Sequence, residues 1–184
     1  YGDKWGESFE SQVHRTAAIA NLMRVNVLKR MESSVNSFRI TLGRILGGCV
    51  DLRSRLNNVG EGAVYDTLGA DVEFDDDDAE EFMAGGKVNV DLRDVDALRL
   101  GQDLDFDIEK LRLLLNYANV VTPDRDAKLI RLREYIAEKV KNPYNDGNRK
   151  ILVFSAFVDT ADYLFGQLAE PLKKEYCLEC AEVS

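Results

Sequence analysis

Apolar positions recur at spacings of three and four along most of this chain, so helices dominate the expected fold. The first such pattern covers residues 8–31. Val13, Ala17, Ala20, Val25 (or Met23), Leu28 and Met31 share a face, and Ser8 is placed to cap it. Glu32-Ser33-Ser34 interrupts or bends that helix. Residues 35–56 repeat the pattern with Val35, Phe38, Leu42, Ile45, Leu46, Cys49 and Leu56. Gly47-Gly48 sits inside it, and each Gly weakens a helix by about 1 kcal/mol relative to Ala, which marks a place for a kink. The periodicity then fades over residues 60–100, which read as an acidic loop with a short helix around 79–84. It resumes over 103–121 with Phe106, Ile108, Leu111, Leu114, Leu115 and Ala118. Thr122-Pro123-Asp124 reads as the cap, first position and acidic first turn of a further helix running to about Val140, with Leu129, Leu132, Ile136 and Val140 inward. Asn142 to Gly147 is a dense turn cluster.

Past that cluster the pattern changes type. Ile151-Leu152-Val153-Phe154 is a short continuous apolar run, as expected of a strand covered on both faces. Ser155 to Asp159 turns the chain. Asp159 is placed to cap a helix with Tyr163, Leu164 and Leu168 inward. A mainly α chain is therefore expected to end in the opening of an α/β domain. About twenty residues after that helix are too few for a parallel sheet, so the chain is expected to be part of a larger protein.

Composition changes this picture in one respect. The net charge of −9 is unevenly spread. Residues 1–60 are net +4, residues 61–110 net −13, and residues 111–184 neutral. A low overall pI therefore leaves nucleic acid open as a partner of the basic N-terminal part. No apolar run approaches the roughly 20 residues of a membrane helix. The start carries no basic-then-apolar leader, and three scattered Cys make no disulfide framework, so a reduced, cytoplasmic setting is expected.

Three segments carry a resemblance. They are residues 22–38, containing Leu28-Lys29-Arg30-Met31-Glu32-Ser33; Asp126-Ala127-Lys128-Leu129; and residues 152–164, Leu-Val-Phe-Ser-Ala-Phe-Val-Asp-Thr-Ala-Asp-Tyr-Leu. In this order they resemble Swi/Snf-type superfamily-two helicases and translocases, particularly the bacterial RapA-like and phospholipase-D-associated groups. The resemblance implies an ATP-dependent DNA motor built on two RecA-like lobes. Residues 1–58 would be a long-helix segment joining the first lobe, and 59–102 an acidic loop insertion. Residues 103–147 would be helices leading into the second lobe, and 148–184 the truncated start of that lobe, with 175–184 as its second strand. ATP and magnesium would bind in the full-length protein and not in this part. No Gly-x-x-x-x-Gly-Lys-Ser/Thr loop is present, since Gly85-Gly86-Lys87-Val88 lacks both the spacing and the hydroxyl, and no Asp-Glu-x-His box appears. The isolated chain is expected to be inactive, with no catalytic and no metal-binding residue.

The resemblance makes Ser155 and Thr160 candidate nucleic-acid contacts on the turn after the strand, with Lys29 and Arg30 as basic candidates. Thr160 reads equally well as a cap or turn hydroxyl, and Arg30 with Glu32 as a structural brace. Asp75 to Asp78 lacks the alternating ligands of a calcium loop and reads as a solvated segment, or as a contact for a basic protein partner. Cys177-x-x-Cys180 would need two further zinc ligands, with only His14 and Cys49 as distant candidates, so packing is the expected role. A rival reading of the whole chain is a stand-alone helical protein-interaction module with an acidic partner-binding loop.

Overall fold

The computed structural model describes residues 20–59 and 96–183, and the protein is mainly helical. Among the described residues there are five helices: α1 (residues 20–33), α2 (Val35–Val59), α3 (Ala97–Asn119), α4 (Ala127–Lys141) and α5 (Val158–Tyr176). The expected Ser8 cap, residues 60–95 of the acidic loop with its short helix, and Asp75 to Asp78 lie outside the described residues.

The expected bend at Glu32-Ser33-Ser34 falls on Ser34. Its side chain caps α2, accepting the Ser37 amide at 3.0 Å. The backbone ladder nevertheless continues across it, with Ser34 N–H to the Arg30 carbonyl at 3.0 Å and Phe38 N–H to the Ser34 carbonyl at 3.1 Å. Gly47-Gly48 does not interrupt α2.

Helix α3 starts six residues before the periodicity resumed. Asp96 supplies the start, its carboxylate accepting the Arg99 amide at 3.0 Å. Gly101 obscured this turn in the sequence. A Cβ there would lie 3.4 Å from the Arg53 guanidinium carbon, an ordinary contact. Thr122-Pro123-Asp124 is a turn and not a helix start. It closes by Arg125 N–H to the Thr122 carbonyl at 2.8 Å. The cap of α4 is Asp126, whose carboxylate accepts the amides of Lys128 and Leu129.

Asp159 is likewise not the cap of α5. Phe157 holds that position without a side-chain bond, and Asp159 lies in the first turn. Residues 151–155 join no helix and no ladder, and among the described residues there is no β-strand. Helix α5 continues to Tyr176, so Glu175 and Tyr176 are helical where a strand was expected. It ends at Cys177, left-handed at φ 54°, with Leu178 N–H reaching the Leu172 carbonyl at 3.3 Å. That is a Schellman-type ending, which favours Gly. Cys177→Gly is expected to stabilise the protein by about 0.5–1 kcal/mol, read as a raised denaturation midpoint. Gly147 also has positive φ, at 73°, as third residue of the turn closed by Asn148 N–H to the Asn145 carbonyl.

The chain forms two compact units, Tyr1–Leu28 with Leu42–Leu113, and Lys29–Thr41 with Leu114–Ser184. In the first, Leu56 and Leu104 are buried with Cys49, Leu52 and Leu100 around them. Arg53 grips Asp105 with two bonds of 2.9 and 3.0 Å. Burial, and secondarily Asp107, push the Cys49 thiol up, so it is a packing group.

In the second unit, α4 and α5 bury Leu129, Ile136, Leu168 and Leu172 against one another. Each such side chain contributes about 1.5–3 kcal/mol when removed from water. Ile151, Leu178 and Cys180 pack on this same cluster. Pro171 interrupts α5 and leaves the Gln167 carbonyl without its helical donor. Arg133 from α4 supplies one, with Nη2 to the Gln167 oxygen at 3.0 Å. Arg133→Ala is expected to cost about 1–2 kcal/mol. Most of that loss is expected to vanish in a Pro171→Ala background, as a double-mutant cycle in urea would measure.

Candidate functional site

Residues 29–38 of the first segment meet the other two segments in the second unit. Arg30, in the last turn of α1, donates to Asp159 in the first turn of α5 at 2.9 Å. Both side chains are nearly removed from water, at 8% and 12% exposure. The guanidinium also lies 4.8 Å from the centre of the buried Phe157 ring and 3.5 Å from Ser37 Oγ. Beside this pair, Thr160 Oγ1 is 2.9 Å from Ser33 Oγ and 3.0 Å from Ser34 Oγ. Lys128, from the second residue of α4, donates its Nζ to the Glu32 carbonyl. Asp126 completes the set. It caps α4 through one oxygen and accepts the Tyr163 hydroxyl on the other at 3.0 Å.

Local sequence explains each placement. Arg30 and Ser34 are one turn apart, so both flank the Ser34 bend on one side of the helix. Asp159 and Thr160 precede Tyr163 and Leu164, whose packing on the core fixes the rotation of α5. Asp126 is buried, yet every one of its contacts is a donor. Burial first, and then the bond to Asp126, push the Tyr163 hydroxyl up to about 12.

A half-open cleft of about 330 Å³ lies against this clasp. Its lining combines the polar Glu32, Ser33, Ser34, Asp126, Lys128 and Thr160 with Leu129, Leu132, Phe154, Tyr163 and Leu164. Ser155 and Ala156 complete the lining.

Of the residues singled out for nucleic acid, Arg30 and Thr160 sit together in the clasp, and Ser155 and Thr160 line one cleft. Thr160 is buried and committed to two serines, which matches its reading as a structural hydroxyl. Arg30 is a brace, but its partner is Asp159 and not Glu32. Ser155 is exposed, while its Oγ accepts the Phe157 amide and donates to the Phe157 carbonyl, both at 3.1 Å. Lys29 is exposed and does not line the cleft. Sequence reasoning gave no role to Lys128 or to the cap of Asp126. The signal for the latter was an Asp two residues ahead of Lys128-Leu129 at the start of the periodic run.

Among the described residues no group of three or more His, Cys, Asp and Glu is placed to hold a metal ion, and no helix is long and apolar enough to cross a membrane. No protein-family model, curated protein or solved structure matches this chain.

Proposed function

We propose that this chain is the inter-lobe segment and the opening of the second motor lobe of an ATP-dependent DNA helicase or translocase of the Swi/Snf type. The observation that carries the reading is the convergence of three segments far apart in sequence. Leu28 to Ser33, Asp126 to Leu129 and Leu152 to Leu164 are the segments that carry the resemblance. In the second unit they are joined by Arg30 to Asp159, Lys128 to the Glu32 carbonyl, and Tyr163 to Asp126. Unrelated resemblances would have no reason to share ionic and hydroxyl contacts.

In this reading residues 151–154 and 178–183 are two strands of the lobe's parallel sheet. Their support is the pattern of exposure. Leu178, Cys180 and Glu182 are half-buried, while Cys177, Glu179, Ala181 and Val183 are exposed, a period of two. Leu152 and Phe154, at 81% and 90% exposure, are apolar surface that the rest of the lobe would cover. ATP and magnesium belong to the rest of the motor, and this chain supplies no step of hydrolysis. Its part is mechanical. The clasp ties the segment leaving the first lobe to the first strand-turn-helix of the second, so that lobe closure moves both as one body. The acidic segment 61–110 is the part open to a basic protein partner.

The test is ATP hydrolysis by the full-length protein with and without duplex DNA. Hydrolysis stimulated by DNA is the expected result, and hydrolysis indifferent to DNA would overturn the motor assignment.

A further inference from the structure

We infer that α2 carries a built-in hinge over Gly43 to Gly48, at which its first turns bend against its remainder. The helix is unbroken over Val35–Val59, yet Gly43, Gly47 and Gly48 fall close together inside it. No backbone need accounts for them, since among the described residues the glycine of positive φ is Gly147. No packing need accounts for them either. A Cβ at Gly43, Gly47 or Gly48 would meet nothing within 4 Å among the described residues. Alanine would therefore fit all three positions. It is also the strongest helix former, and glycine is among the weakest. The three residues make this span the weakest of α2 without any contact in return.

The packing along α2 points to the same span. Its start is anchored, with Ser34 as cap and Ser37 fully buried. Its end is anchored too. Leu56 is buried with Leu104, Cys49 and Leu52 pack on that pair, and Arg53 holds Asp105. Between these anchors, no residue from Gly43 to Gly48 is buried, and among the described residues none joins either apolar cluster. A stretch with few buried contacts and exposed backbone bonds opens more readily than its flanks. Just ahead of it, Thr41 Oγ1 donates to the Ser37 carbonyl at 3.0 Å, a side-chain bond that competes with the ladder and bends helices. The division into compact units also falls here along α2, with residues to Thr41 in the second and those from Leu42 in the first. A weak helical span, a competing hydroxyl and a change of packing thus coincide between Thr41 and Gly48. The use of the hinge, unlike its existence, rests on the motor reading. There it lets the clasped start of α2 turn with α5 while the rest of the helix keeps its own packing.

Amide hydrogen exchange of the full chain, followed by mass spectrometry, tests the hinge. Amides of residues 44–52 are expected to exchange faster than those of residues 36–41 and 53–57. In the variant carrying Gly43→Ala, Gly47→Ala and Gly48→Ala together, that segment is expected to slow by about a hundredfold, roughly fivefold per glycine. Gly166→Ala makes the same change at an open position of α5 and should leave the segment as in wild type. Wild-type exchange as slow in the segment as in its flanks overturns the hinge. So does a slowing that Gly166→Ala reproduces. ATP hydrolysis by the full-length protein then tests the use of the hinge. The triple variant is expected to keep the DNA-free rate and to lose several-fold in stimulation by duplex DNA. Stimulation equal to that of wild type overturns the role in the motor. If wild type itself is not stimulated, the motor reading falls, and the exchange result alone upholds or overturns the hinge.

Discussion

Arg30→Met is expected to destabilise the second unit by about 3–5 kcal/mol, the usual cost of removing one partner from a buried ion pair. Methionine keeps much of the stem volume, so the loss reports the charge and its hydrogen bonds more than packing. Three contacts disappear together: the 2.9 Å bond to Asp159, the approach to Ser37 and the ring contact with Phe157. The change also strips the guanidinium from a carboxylate whose side chain is only 12% exposed. Removing both charges should be far milder, because the desolvation cost of Asp159 goes with it. Urea unfolding of Arg30→Met, Asp159→Leu and the double variant measures this as a coupling between residues 129 positions apart. The double variant is expected to recover most of the loss of Arg30→Met.

Asp126→Ala has the second largest expected effect, about 2–4 kcal/mol, from two independent losses. The first is the cap of α4, with the Lys128 and Leu129 amides left without an acceptor. Leu129 is the most buried apolar side chain of this core, so fraying at its amide reaches the centre of the unit. The second is the Tyr163 hydroxyl, half-buried and deprived of its acceptor. Burial of that hydroxyl, and then the same bond, give a pH signature. Tyr163 titrates at about 12 in the folded protein against 10.0 for the ordinary side chain. The folded state therefore holds that proton more tightly than the unfolded state. The resulting stabilisation is present in full below pH 10 and is lost as the pH rises towards 12. Tyr163→Phe should remove that decline, and denaturation midpoints followed across this window would reveal it.

The helices were legible because their signal is local and repeated. Val35 to Leu56 and the face of Leu129, Leu132 and Ile136 needed only periodicity. Their starts were less legible, since a cap is chosen by competition among neighbours. Thr122-Pro123-Asp124 carried a good local signature, yet Asp126 won because it alone also meets Tyr163, 37 positions away. Asp159 lost its capping role to a contact 129 residues back. Ile151 to Phe154 joins no ladder, since a strand needs a neighbour and a pattern of side chains does not supply it. As for the site, Thr160 and Arg30 each carried two readings, a nucleic-acid contact and a structural group, and the fold buries both against partners that only the fold supplies.

The clasp gives the mechanical proposal its sharpest form. Arg30 and Ser33-Ser34 flank the bend between α1 and α2, and Asp159 and Thr160 open α5, so these side chains tie the bend to the start of α5. The most direct measurement is therefore ATP hydrolysis by the full-length protein carrying Asp159→Asn, beside wild type, with and without duplex DNA and at equal folded fraction. The account predicts that the variant hydrolyses ATP at the DNA-free rate of wild type but loses most of the stimulation by DNA. Stimulation equal to that of wild type would contradict it.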